Sequence, residues 1–245
     1  MDNLIYGRHP VVEALENGKR FDKLFLQKGV EAAFSRQIQQ LAHQNNVLVQ
    51  VVPIEKMNRL TTKNHQGIAG FLSVVVYYEL SDLLIQAFEK GETPLFLLCD
   101  GITDVGNFGA MARSAACMGV HGIVITEKGS ASIGPETIKA SAGALNQIAV
   151  CKVRFLDQAI RLLQDNGVQL VVTHLAATQT IAQAKLSLPT AILMGAEDRG
   201  VSPAFVKMAD ALVKIPMAGD FDSFNVSVAT GILLYEVVRQ RNMEA

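Results

Sequence analysis

The sequence predicts an α/β protein with a mostly parallel sheet in its larger, C-terminal part and a small α/β unit ahead of it. Three observations carry that prediction. Continuously apolar runs recur, as at Leu95-Phe96-Leu97-Leu98-Cys99 and Thr190-Ala191-Ile192-Leu193-Met194, and runs without polar alternation mark strands covered on both faces. Segments of helical periodicity separate them, and strands joined through helices pair in parallel by right-handed crossovers. Glycine- or proline-containing loops close several of the strand runs, as at Gly195 and Pro216, and these residues punctuate regular structure.

At 245 residues the chain can hold one large domain or two modest ones with real cores. An apolar share of 49% with 18% charged residues describes a globular protein. No apolar run is long enough to cross a bilayer, and the N-terminal residues lack the basic and apolar regions of a secretion signal, so a cytoplasmic protein is expected. Cys99, Cys117 and Cys151 are odd in number and lack metal-ligand spacing; reduced, buried thiols and no bound metal are expected. Net charge is −1, yet residues 1–76 hold nine Lys/Arg against six Asp/Glu and the remainder thirteen against seventeen. A front part at +3 ahead of a back part at −4 suits polyanion binding by the first and another task for the second.

Residues 1–76 alternate helix and strand. Pro10 suits a first helical turn, and residues 23–26 read as a strand. Residues 32–44 have helical periodicity, residues 47–52 form an apolar strand closed by Pro53, and residues 56–60 form a short helix. A glycine-rich strand over 67–76 closes the unit. Residues 77–93 read as a polar-flanked helix and hinge. From 94 to 245 the pattern is strand and helix in turn: strands over 95–99, 122–125, 149–153, 170–173, 190–194 and 211–215, with helices over 110–118, 156–165 and from about 225 to 241. A small-residue helix is expected around Ser141-Ala142-Gly143-Ala144.

Three loops fall beyond strand C-termini, where a parallel sheet places its ligands: 100–109, 195–202 and 216–225. The glycines of the first do not fit G-x-G-x-x-G, and no Gly-Lys-Ser/Thr follows for a P-loop. No Gly-x-Ser-x-Gly elbow is present, and the five histidines are scattered, which disfavours triad hydrolysis. The loops instead share Asn107, Arg113, Glu197, Ser223 and Asn225, a polar set with little acid/base equipment. Ser223 or Asn225 suits the N-cap of the last helix.

The spacing of these residues resembles the SpoU (TrmH-type) family of RNA ribose 2′-O-methyltransferases. Asp104, Asn107, Gly109 and Arg113 match its first motif, although Val105-Gly106 depart from the usual loop. Leu193-Met194-Gly195-Ala196-Glu197-Asp198-Arg199-Gly200 match the second. Ile215-Pro216-Met217-Ala218-Gly219, then Ser223-Phe224-Asn225-Val226-Ser227-Val228-Ala229, match the third with Phe224 for the usual Leu. The start Tyr6-Gly7-Arg8-His9-Pro10-Val11-Val12-Glu13-Ala14-Leu15 resembles the N-terminal RNA-binding domain of the ribosomal-RNA subgroup, itself similar to a ribosomal protein.

The resemblance implies an RNA-binding domain over 1–76, a hinge over 77–93 and a methyltransferase domain over 94–245 with a deep trefoil knot. It implies S-adenosylmethionine as methyl donor, held around Leu193, Gly195, Ile215, Met217 and Phe224. The implied reaction is methylation of a ribose 2′-hydroxyl, most readily a guanosine of large-subunit ribosomal RNA, with transfer RNA as the alternative substrate and a non-catalytic assembly factor as the rival from another class. Arg113 is implied as essential, either as base or as an electrostatic clamp, since a base role requires a large fall from a guanidinium pKa above about 12. Asn107, Ser223 and Asn225 would orient ribose and donor; Glu197 would pair with Arg113 or fix the second loop. Family members are homodimers, and the apolar positions Ile232, Leu233, Leu234, Val237 and Val238 of the last helix suit either a dimer seam or a buried core helix.

Overall fold

A computed structural model describes residues 3–45, 47–220 and 223–244, so Phe221 and Asp222 of the third loop lie outside the described residues. The chain divides into two compact units, Met1–Val74 and Val75–Ala245.

The first unit is built on a four-stranded mixed sheet. Its strands are β1 (Leu4–Tyr6), β2 (Phe21–Gln27), β3 (Val49–Val52) and β4 (Ile68–Leu72), in the spatial order β1-β4-β2-β3. Helices α1 (Arg8–Glu16) and α2 (Ala32–Gln44) cover one face, where Val11, Leu15 and Ile38 pack on Leu24, Leu26 and Ile68. The shorter α3 (Ile54–Leu60) packs Met57 against Phe25, Val52 and Ala69 on the other. The last strand ends at Leu72, short of the expected 76.

In the second unit all seven described strands run parallel. They are β5 (Leu95–Asp100), β6 (Gly122–Thr126), β7 (Val150–Val153), β8 (Gln169–Thr173), β9 (Gln179–Thr180), β10 (Thr190–Gly195) and β11 (Ala211–Lys214), ordered β7-β6-β5-β10-β8-β11-β9. The central strands β5 and β10 are buried along nearly their whole length, as their unbroken apolar runs require. Helix α4 (Leu80–Glu89), expected as a hinge, belongs to this core: Leu80, Leu83 and Leu84 pack with Phe96, Leu98, Val124 and Leu163. The remaining helices are α5 (Val105–Cys117), α6 (Pro135–Ala140), α7 (Leu156–Asp165), α8 (Pro203–Val206) and α9 (Val226–Glu244). The small-residue helix breaks after Ala140, because Ala142 and Gly143 take φ of 50° and 84°; a 3-10 turn, Ala144–Asn146, follows.

Helix α9 lies against α5, and part of its apolar stripe belongs to the core. Leu233, Leu234 and Val237 are fully buried. Val228, Ile232 and Tyr235, spaced four and three residues apart on another side of the helix, line an open groove of about 500 Å³ with Ala110 and Ser114 of α5. The end of α9 is tied down by Arg241, whose guanidinium donates to the carbonyls of Thr93 at 2.7 Å, Pro94 at 2.9 Å and Leu188 at 3.0 Å. Burial draws that guanidinium below its ordinary pKa.

Candidate active site

The three polar loops leave the C-terminal ends of β5, β10 and β11, and the chain positions each with a short-range device. Asp104 caps α5, its Oδ1 accepting the Asn107 backbone N–H at 2.7 Å. That cap starts α5 at Val105 rather than at the expected 110, so Asn107 is a residue of the first helical turn and not of a loop. Asn225 plays the same part for α9, its Oδ1 accepting from the Ser227 N–H at 2.9 Å and hydroxyl at 2.6 Å. An asparagine so used keeps its Nδ2 free to donate elsewhere.

The second loop depends on Gly195. Its position faces the returning backbone of Gly200 and Val201 so closely that any Cβ would collide with it. This tight return brings the Gly200 N–H to the Ala196 carbonyl at 2.7 Å and leaves Glu197 exposed. The far end of the loop is anchored by Asp100, which accepts from the Ser202 N–H at 2.8 Å and hydroxyl at 2.6 Å. Sequence patterning does not single out Asp100 and Ser202; the signal it holds is a carboxylate directly closing an apolar strand. Arg199 is equally inconspicuous in the sequence. Its guanidinium lies against Gly101, whose φ of +73° favours a residue without a side chain.

These devices converge. Asn225 Nδ2 donates to Asn107 Oδ1 at 2.9 Å and to Glu197 Oε1 at 3.0 Å, while Asn107 Nδ2 donates to Glu197 Oε2 at 3.1 Å. Three side chains from three separate segments thus close a ring. Glu197 and Asn225 are solvent-exposed and Asn107 is half-buried, so the ring orients groups more than it stabilises the fold.

Arg113 is not part of it. No hydrogen bond or ion pair among the described residues joins Arg113 to Glu197, whose carboxylate instead accepts from Asn107 and Asn225. The reason is helical geometry: six residues beyond Asn107 on α5 is about 120° around and about 9 Å along the axis. Arg113 is exposed next to Ala110 and Ser114, which line the α5–α9 groove. Ser223 is exposed and makes no hydrogen bond among the described residues.

In the third loop, Ile215 is half-buried, while Met217 and Phe224 are 37% and 39% exposed, apolar side chains left open to solvent. Leu193 is fully buried in the sheet core, so its side chain backs the site rather than lining it. Cys99, one residue before Asp100, is also fully buried, and burial pushes its thiol up to about 12, which rules it out as a nucleophile near neutral pH. Cys117 is exposed, against the expectation that all three cysteines are buried. Among the described residues no helix is long and apolar enough to cross a membrane, and no group of His, Cys, Asp and Glu is placed to hold a metal.

Comparison with known proteins places this arrangement. Residues 94–235 match the model of the SpoU rRNA Methylase family, and residues 4–74 match that described as RNA 2′-O ribose methyltransferase substrate binding. The chain is 36% identical over 250 aligned positions to the 23S rRNA (guanosine-2′-O-)-methyltransferase RlmB of Yersinia pestis, covering 100% of both chains. It is 33% identical over 238 residues to YacO of Bacillus subtilis, named for the TrmH family of tRNA/rRNA methyltransferases, covering 97% of this chain and 96% of that one. Among solved structures, the AdoMet-bound rRNA methyltransferase of Sinorhizobium meliloti is similar with a TM-score of 0.60 and 28% identity, covering 97% of this chain and 87% of that one. The SpoU methyltransferase AviRb of Streptomyces viridochromogenes shares the fold with a TM-score of 0.63 and 24% identity, over 98% of this chain and 90% of that one. With its C-terminal unit, its substrate-binding unit and its whole length matched, the chain belongs to the SpoU family of RNA methylases.

Proposed function

We propose that this protein methylates the ribose 2′-hydroxyl of an RNA nucleotide, a guanosine of large-subunit ribosomal RNA, with S-adenosylmethionine as donor. The observation that carries the reading is the ring of Asn107, Glu197 and Asn225, three motif residues 28 to 118 positions apart that the fold brings into hydrogen-bond contact. The whole-length likeness to a ribosomal guanosine methyltransferase supports the choice of RNA.

The residues present fit the donor. The bare Gly195 lets the Gly200–Val201 backbone fold back tightly and fixes the shape of the loop, and Met217 and Phe224 leave apolar surface for an adenine and a thioether. Ile215 and the Gly195 loop would hold the donor, in a knotted region that the family likeness implies. When bound, it supplies an electrophilic methyl carbon.

The chain's own groups then have positional tasks. Asn107, Asn225 and Ser223 orient the ribose, and holding the hydroxyl in line with the donor can supply much of the rate. Glu197 fixes both asparagine amides. Arg113 acts on charge at the reacting hydroxyl and its adjoining phosphate. As the family likeness implies, it serves the site of a second copy; its exposed place by the α5–α9 groove, where Val228, Ile232 and Tyr235 offer apolar surface, supports that pairing.

The test supplies labelled S-adenosylmethionine with ribosomal RNA and transfer RNA separately and maps the labelled sugar. Label in a guanosine of large-subunit RNA is expected. Label confined to transfer RNA, the second substrate class in the name of the Bacillus relative, would overturn the substrate assignment.

A further inference from the structure

The first unit has one closed face and one open face. The closed face lies under α1 and α2. On the other, α3 covers only part of the sheet, with Met57 and Leu60 against Phe25 and Val52. Two cross-strand rows share this face: Tyr6, Ala69 and Phe25 in one, Leu4, Phe71 and Lys23 in the next. Paired residues in a ladder point to the same side. Tyr6 and Phe71 are half-buried, so each ring keeps surface in contact with solvent. Phe71 stands edge-on to Phe25 with ring centroids 6.5 Å apart.

Cations rim these rings. Lys63 Nζ lies 6.0 Å from the Tyr6 centroid and Lys56 Nζ 5.1 Å from that of Phe25, while Lys23 is opposite Phe71 in the ladder. Lys56 and Lys63 are exposed and Lys23 half-buried. Exposed lysines resting on rings make weak contacts that a stronger π partner can displace. The two rows are two residues apart along each strand, about 6.7 Å, room for separate planar groups on each.

We infer that this face of the first unit takes an unpaired stretch of the substrate RNA, with bases against Tyr6 and Phe71 and phosphates against Lys23, Lys56 and Lys63. Aromatic surface for bases, interleaved with cations for the backbone, is the chemistry of single-stranded RNA binding. The assignment rests on the reading of the chain as an RNA methylase and adds which surface of the substrate-binding unit meets the RNA. A structured RNA helix, with its bases turned inward, would leave the rings unused.

The test measures binding of protein-free large-subunit ribosomal RNA to the full chain across a salt series. The double substitution Lys56→Glu/Lys63→Glu is expected to weaken binding at least tenfold. It should also lower the slope of log Kd against log salt by about 1.4, since each single-strand phosphate that a lysine neutralises adds about 0.7 to that slope. A control of equal charge change, Lys19→Glu/Arg36→Glu, alters exposed residues away from this face and is expected to leave the slope unchanged. Stacking is read separately. The chain has four Tyr and no Trp, so RNA is expected to quench tyrosine emission, and Tyr6→Phe, which keeps the ring packing, is expected to remove part of that quench. Equally weakened binding in the two charge doubles, or a lysine double that binds RNA as the parent does and responds only to an acidic protein segment, would overturn the inference. Unchanged quenching in Tyr6→Phe would also overturn it. Because binding is read apart from methyl transfer, a chain that binds RNA through these lysines but transfers nothing supports this surface while sinking the enzyme reading.

Discussion

The side-chain amide of Asn225 reaches across 118 residues of sequence to Asn107, donating at 2.9 Å, and the same nitrogen donates to Glu197 at 3.0 Å. One asparagine therefore caps α9 with its oxygen and ties two other segments with its nitrogen. Glu197 is the acceptor for both amides, and its replacement separates orientation from stability. Glu197→Ala is expected to lower kcat/KM by about a hundredfold or more, equivalent to roughly 2.7 kcal/mol. Since the ring is largely exposed, Tm should fall by no more than about 2–4 °C, the shift for about 1 kcal/mol in a chain of this size. A comparable loss of activity accompanied by gross unfolding in thermal melts would show that the ring holds the fold.

Arg113 stands by the α5–α9 groove, about 120° around its helix from Asn107. Arg113→Ala is expected to abolish methyl transfer while donor affinity, measured by calorimetry, stays within about twofold, as for a group acting only on the reacting hydroxyl. Mixing inactive Arg113→Ala and Asn225→Ala chains in equal amounts should restore about a quarter of parental activity, because half the dimers then hold one intact composite site. A mixture that stays inactive would mean that each chain completes its own site.

Gly195 faces backbone, not a side chain that could swing away. Gly195→Ala is expected to cost about 1–3 kcal/mol by overpacking, visible as a lower melting temperature without donor, and to abolish donor binding, visible as a loss of donor-induced stabilisation. Gly134, with open space around it and a φ of −137° that any residue adopts, serves as the control: Gly134→Ala should bind donor as the parent does.

The cysteines separate by burial. Cys117 should react with a thiol reagent in the native protein, while Cys99 should stay unmodified until the chain unfolds, as counted by mass spectrometry. The pH dependence follows from the same burial. Cys99 in the folded chain titrates at about 12 against an ordinary 9.0, so above pH 9 the unfolded chain releases a proton that the folded chain keeps. Folding stability should fall with pH between 9 and 12, at up to about 1.4 kcal/mol per pH unit for this one group. The Cys99→Ala chain should show a shallower alkaline decline.

Much of this architecture can be read directly from residues, and the failures are informative. Helices Ala32–Gln44 and Leu156–Asp165 match their periodicity end to end, because an amphipathic segment declares its length. The start of α5 is hidden, since Gly106 and Asp104 look like a loop until Asp104 is seen to cap the turn holding Asn107. Strand Gln179–Thr180 and helix Pro203–Val206 are too short to carry a period. The motifs name Asn107, Glu197 and Asn225 but not their mutual bonds, because strand order, not local chemistry, sets which loops meet. For the same reason the family resemblance leaves Glu197 either paired with Arg113 or fixing its loop, and only the fold shows its carboxylate taking the two asparagine amides.

Every residue of the first unit precedes position 75, whereas the three-residue ring needs Asn225 and the anchor of α9 needs Arg241. During synthesis the substrate-binding portion is finished while the last segments of the site are still being translated. On the proposed reading, a truncated product keeps the RNA-binding unit and lacks the ring, so premature termination is expected to yield a competitor for the substrate and not merely an absence.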